Sequence, residues 1–392
     1  MKLLFTKGIK GCVDKSKIKL IAGNKVIETS YSYTDKDLIN LENEYNIKLL
    51  GEIIKDNSLI QMTGDFNFMV SKNNKEIIYI TSLLYKIDAS FVEIYELIKK
   101  KIFINIDEYY KIISYVPIFI TTEGLVTELF FSRKEFQQAL VESDVLKLID
   151  NETKNKIIYM NDLYAMIGDI QNYVLNVHNN LIEAQKELCK ILDGVQEEFC
   201  IKWYGEEEKE YKLCGYNSQI ISSMYMDVIV KLSSCLDIIT KLFCEILDFP
   251  KVYDKPIRFK SGNIYFRNIK RFKEKFKNYR NYNQSILANF KDYDDIILSR
   301  NLIVHNSFFS SDPAVFWGFG TPVVNKKRIP YALMYIWDID EDGKPDRWLN
   351  RCKFYGQNRP IDEYIINNLI KFYEQLDNTL EIIKEYLGKE DI

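Results

Sequence analysis

Residues 300–305 read Arg-Asn-Leu-Ile-Val-His, which places a guanidinium, a carboxamide and an imidazole inside one short window. An imidazole with an unperturbed pKa of about 6.5 can take and give a proton at neutral pH, so His305 is a candidate general acid/base. The guanidinium of Arg300 stays charged and can grip phosphate oxygens with a planar fork. On an ideal helix, at about 100° per residue, Asn301 and His305 stand one turn apart on one face, while Arg300 is rotated from His305 by about 140°. A purely structural role for the window is the competing reading. Leu302, Ile303 and Val304 could pack in a core, and a histidine in a last helical turn is favoured by the helix dipole without further purpose.

Set near the end of a helix among several long helices, the window Arg300-Asn301-x-x-x-His305 resembles the HEPN superfamily. Ribonucleases of that family carry an Arg, a polar residue that is often Asn, a short spacer and a His. The resemblance covers roughly residues 156–392 and leaves the N-terminal part unexplained. It implies a metal-independent endoribonuclease with no cofactor. The neighbouring 2′-hydroxyl of RNA would attack the phosphodiester and leave a 2′,3′-cyclic phosphate and a 5′-hydroxyl. In that reading His305 is the general acid/base, Arg300 stabilises the charge on the phosphate, and Asn301 orients the scissile phosphate or the imidazole. Arg300 does not converge with His305 on one helix, and His178 has no arginine beside it. The resemblance therefore implies a homodimer with a composite site, the commonest oligomeric symmetry. Such proteins serve in toxin–antitoxin or abortive-infection antiviral defence. The alternative is a non-catalytic HEPN module that binds RNA or a nucleotide or serves in dimerisation, and a helical interaction protein unrelated to the family is a third reading. HEPN toxins silenced by a small nucleotidyltransferase have a Tyr two residues after the His. Here that position is Ser307, so silencing by that route is not expected.

A second signal lies upstream. Nine of the ten arginines, all but Arg133, fall between residues 258 and 359. Within residues 251–280, Arg258, Lys260, Arg267, Lys270, Arg271, Lys273, Lys277 and Arg280 are interleaved with Phe259, Tyr265, Phe266, Phe272 and Tyr279. Cations can track a phosphate backbone while rings stack on unpaired bases, so this stretch is expected to face RNA. An amphipathic helix with its aromatics turned inward is the alternative for each ring.

The elements that must position these groups are mainly helical after about residue 156. Long runs with apolar residues three and four apart span 161–192 and 217–249, and further helices are expected at 283–307 and 361–389. Pro360 just before the last of these and Gly388 near its end suit its two termini. Between the last two helices, residues 308–360 are rich in Gly, Pro and Trp. There ALMYIWDI and RWLNRCKFY read as strands around the turn DEDGKP. The acidic stretch 196–215 reads as a loop or a short excursion.

Residues 1–155 read as a smaller α+β domain, a sensor, regulatory or partner-docking unit through which an antitoxin or regulator could act. Strands at 17–23 and 25–33 flank Gly23-Asn24, a hairpin joins FNFMV to EIIYITSLL across SKNNK, and helices are expected at 35–54 and 87–102. Residues 115–131 read as β-like or as a buried irregular segment.

Composition bounds the rest. The 392 residues, 47% hydrophobic and 28% charged, are enough for two domains with real cores. A net charge of −3 from 53 basic and 56 acidic residues excludes a polycation, so RNA binding must come from a local face. Two histidines, and seven cysteines (Cys12, Cys189, Cys200, Cys214, Cys235, Cys244 and Cys352) without C-x-x-C spacing, point to neither a disulfide framework nor a zinc site. Asp338, Asp340, Asp342 and Gly343 imitate the start of a calcium loop, but the twelfth position is Leu349, so a hairpin turn is expected. No apolar run is long enough to cross a membrane and the N-terminus lacks a signal-peptide core, so a cytoplasmic protein is expected. Asp169 and Asp295 are weaker candidates for orienting Arg300 or His305, and His178 reads as structural.

Overall fold

The computed structural model describes strand backbone within residues 2–70, most of 74–110, a few residues at 132–138, and 150–199, 210–253, 264–305, 313–324, 327–341, 344–348 and 352–389. The helix expected at 35–54 and the segment 115–131 lie outside the described residues. The described chain is mostly helical, 73% of its residues. Its six α-helices are α1 (Asn74–Ile102), α2 (Asn151–Phe199), α3 (Tyr216–Leu247), α4 (Ile264–Phe276), α5 (Asp294–His305) and α6 (Ile361–Gly388).

The strands are short and form several small antiparallel sheets. β1 (Lys2–Leu3), β5 (Ile60–Thr63) and β6 (Asn67–Val70) pair in the order β1-β6-β5, and β2 (Ile9–Asp14), β3 (Lys17–Ala22) and β4 (Lys25–Ser30) form a meander. The β3–β4 register, Ala22 opposite Lys25, agrees with the hairpin expected around Gly23-Asn24. Farther on, β7 (Glu210–Cys214), β8 (Ala314–Val324) and β9 (Lys327–Leu333) make a third sheet in that order. Two minimal pairs follow: β10 (Tyr335–Ile336) with β13 (Arg359–Pro360), and β11 (Arg347–Trp348) with β12 (Cys352–Lys353).

Four expectations are corrected. EIIYITSLL is not a hairpin strand but the first third of α1. Its β-branched residues suit a strand, yet Ile80, Leu83, Ile87, Phe91, Ile94 and Ile98 are all buried at spacings of three and four. Packing of that stripe overrides local propensity. The helix expected from residue 283 starts only at Asp294. Before it, Ser285 Oγ donates to the Tyr282 carbonyl at 2.6 Å, and Asn289 Nδ2 donates to the carbonyls of Asn283 (2.7 Å) and Ser285 (3.0 Å). These short polar side chains satisfy backbone acceptors in tight turns and so compete with helix. RWLNRCKFY is not one strand but a hairpin in itself, since Arg347 pairs with Lys353 and Trp348 with Cys352. The acidic excursion contains β7, with Tyr211 stacked on Trp317 at 4.6 Å between ring centroids.

By contacts the chain divides into two units. One comprises Met1–Thr81, Val177–Val230 and Asp295–Ile370; the other comprises Ser82–Asn176, Lys231–Asp294 and Lys371–Ile392. The core of the second is helical, built from the α1 stripe from Leu83 onward with Leu163, Ile167 and Ile170 of α2, Leu236 and Phe243 of α3, and Phe372, Leu376 and Leu380 of α6. Polar groups inside it are paired. Tyr373 donates to the Val174 carbonyl at 2.8 Å, and Tyr293 to Gln375 Oε1 at 2.7 Å. Lys99, only 2% exposed, reaches Glu96 at 2.6 Å and Tyr110 Oη at 2.9 Å, with its ammonium 4.7 Å from the Tyr95 ring centroid. In the first unit the core joins Leu181 and Leu188 of α2, Ile221 and Val228 of α3, Leu302 of α5, Val315 and Trp337 of the β region, and Ile365 and Leu369 of α6. This unit carries the motif.

Candidate functional site

α5 presents two different faces. Ile296, Ser299 and Leu302, spaced three apart, are buried. Leu298, Asn301, Leu302 and His305, at helical spacings of three and four, form one wall of a cleft of about 490 Å³. Its other wall is the turn between β10 and β11, namely Asp340, Lys344, Pro345, Asp346 and Arg347. Asn301 and His305 are both exposed on this face. Val304 is 49% exposed, so the three apolar residues of the window are not all packed inside. Of those three, only Leu302 is buried.

Arg300 is not on the cleft wall. Its guanidinium donates to the Oδ1 of Asn301 at 2.9 Å. The helical rotation between positions 300 and 305 has this effect. The motif residues are thus split: Asn301 and His305 come together, and Arg300 touches the site only through the carboxamide. Asp295 does not serve either of them. It faces Ser299, Tyr364 and Arg359, and burial raises its pKa against the lowering effect of those partners. The same burial, with the nearby Asp295 charge, pushes the Tyr364 phenol up. Asp169 belongs to the other unit.

The opposite wall is tied together by its own hydrogen bonds. The buried Asp338 accepts the Gln357 amide on Oδ1 at 3.0 Å, and its backbone N–H and C=O bond Phe354 O and Asp346 N, both at 2.8 Å. Asp340 Oδ1 accepts the Lys344 amide at 2.8 Å, and the Asp340 amide donates to the Lys344 carbonyl at 2.8 Å. Gln357 Nε2 donates to the Ile339 carbonyl at 2.8 Å. Asn358 completes the adjoining turn with φ of 49°, a left-handed conformation that Asn accepts more readily than most residues. Asp338 and Asp340 therefore build a turn, as expected.

Arg347 and Lys353 stand directly opposite each other on β11 and β12. The Lys353 ammonium lies 5.0 Å from the Trp337 ring centroid. Burial, and then the charge of Arg347, lower its pKa to about 8. Lys344 and Arg347 were not singled out from the sequence. The available signal was the crowding of arginine between 258 and 359, which includes Arg347.

The basic stretch belongs to the other unit. Lys270, Lys273, Lys277 and Arg280 are exposed. Arg271 is ion-paired with Asp248, which raises its pKa. Phe272 and Phe276 are buried, the latter edge-on to Tyr386 at 5.6 Å. Phe272 therefore packs inward and offers no stacking platform, and Tyr279 is covered by the Lys389 ammonium at 4.0 Å. Arg258 and Lys260 lie outside the described residues, as does the side chain of Arg267. His178 is buried in α2, with Nε2 3.4 Å from Thr81 Oγ1 and Nδ1 without a hydrogen-bond partner. Burial lowers its pKa, in keeping with a structural residue.

No family model, curated protein or solved structure matches this chain. Among the described residues, no helix is long and apolar enough to cross a membrane.

Proposed function

We propose that this chain is a metal-independent endoribonuclease of HEPN type, cleaving single-stranded RNA by attack of the 2′-hydroxyl. The observation that carries the reading is the cleft in which Asn301 and His305 share one wall and face Lys344 and Arg347 on the other. An imidazole exposed in such a cleft can pass protons to or from the ribose and leaving oxygens, while nearby cations favour the charge that develops on the phosphate. A homodimer, and a place in toxin–antitoxin or abortive-infection defence, belong to the same proposal by resemblance.

The test is incubation of the full chain with labelled RNA in EDTA. Cleavage that leaves cyclic phosphate ends, spares DNA of the same sequence and disappears in His305→Ala supports the nuclease. A second reading is favoured by one feature. Arg300 is turned from the cleft and bonded to Asn301, as suits a non-catalytic RNA-binding module. RNA binding without cleavage in the same assay selects that module.

A further inference from the structure

The wall formed by the β10–β11 turn and the start of β11 brings two cations to the cleft, Lys344 and Arg347, whereas the one arginine of the motif helix does not line it. On the α5 wall, the groups that face the cleft are apolar or uncharged apart from His305. The guanidinium of Arg300 is engaged by its neighbour. A phosphodiester entering this space to meet His305 needs a permanent positive charge against its non-bridging oxygens. Arg347 is on the wall opposite His305. It is also directly across the strand pair from Lys353, an arrangement that costs stability because like charges face each other. A bound anion relieves that cost. Asp340 and Asp346 line the same wall, so net charge alone does not draw a polyanion in. Recognition must come from directed hydrogen bonds, and a planar guanidinium fork can hold two phosphate oxygens at once, which the single rotating ammonium of Lys344 does not.

We propose that Arg347, supplied in cis by the hairpin, is the residue that grips the phosphate presented to His305, in the place the motif resemblance gives to Arg300. The ligand class is a phosphodiester of single-stranded RNA. The inference rests on the RNA reading of the cleft but not on cleavage.

The test uses the full chain and a single-stranded 2′-fluoro oligonucleotide, which lacks the nucleophile and cannot be cut. Binding is followed by fluorescence anisotropy over roughly 50–200 mM salt for wild type, Arg347→Gln and Arg347→Lys. Arg347→Gln is expected to weaken binding about tenfold to a hundredfold. It should also reduce the slope of log affinity against log salt by about 0.7, one single-strand phosphate contact. Arg347→Lys should restore the slope but not the affinity, since a point charge replaces a fork. A merely structural role would leave the slope unchanged. Wild-type affinity and slope in Arg347→Gln, or no binding by the wild type, overturns the proposal. Parallel cleavage of ordinary RNA in EDTA separates the two claims. If wild type does not cut but Arg347→Gln lowers the slope by about 0.7, the nuclease reading fails and the phosphate site stands. If wild type cuts and Arg347→Gln keeps both cleavage and slope, the phosphate site fails alone.

Discussion

Replacing Lys353 by Met should make the protein more stable at pH 7. The ammonium is half-buried, lies 5.0 Å from the Trp337 ring centroid and is paired across the hairpin with Arg347. Its pKa is lowered from 10.5 to about 8. At about 1.4 kcal/mol per tenfold change in proton affinity, that drop sets a ceiling of about 3 kcal/mol on what the charged form costs the folded state. The side chain remains partly open to water, which screens the charge, so about 1 kcal/mol is the expected gain. Methionine keeps an apolar stem over the indole and adds a favourable sulfur–ring contact. The sign follows from proton counting. Between pH 8 and 10.5 the unfolded lysine holds a proton that the folded one has released, so wild-type stability rises with pH across that window. The advantage of Lys353→Met should therefore be largest near pH 7 and shrink steadily above pH 8. Urea denaturation of both proteins at several pH values measures this directly. A variant less stable than wild type at pH 7, or an advantage that does not change with pH, would refute the assignment of burial and Arg347 as the cause.

Three more outcomes are expected. Arg300→Ala should reduce RNA cleavage only about fivefold, the value of one hydrogen bond to Asn301, whereas His305→Ala should reduce it by about a hundredfold or more; equal losses in single-turnover assays would show that Arg300 reaches the reacting phosphate. Wild-type stability should fall as pH drops below about 6.5, because the unfolded His178 takes up a proton that the buried one resists, and His178→Gln should flatten that part of the profile in a thermal-melt series. Phe276→Ala should cost about 3–5 kcal/mol in urea denaturation because the ring is fully buried against Tyr386, while Lys273→Gln on the exposed side of α4 should cost almost nothing.

Much of the helical architecture was legible in the sequence because long apolar stripes at helical spacing leave few alternatives. α6 begins at Ile361, directly after Pro360, and ends at Gly388, close to where those two residues were expected to bound it. α3 ends at Leu247, shortly before Pro250. The failures have specific causes. The start of α1 has the β-branched composition of a strand, and only the burial of Ile80 and Leu83 in register with the later stripe makes it helix. The start of α5 was placed too early because Ser285 and Asn289 can bond backbone carbonyls in turns, a choice that periodicity does not reveal. β7 was missed because an edge strand of mostly exposed residues has no alternation to read.

The candidate site shows the same division. The sequence by itself determined that Asn301 and His305 share a helix face and that Arg300 does not, because helical rotation is fixed by backbone geometry. It also determined that DIDEDG is better suited to a turn than to calcium. Only the tertiary structure decided what stands opposite that face. Lys344 and Arg347 are about forty residues downstream of the motif, and the hydrogen bonds of Gln357 to Asp338 and Ile339 tie together the two flanks of the segment that carries them. Such contacts join groups far apart in the chain, and no local pattern encodes which residue will meet which across a cleft.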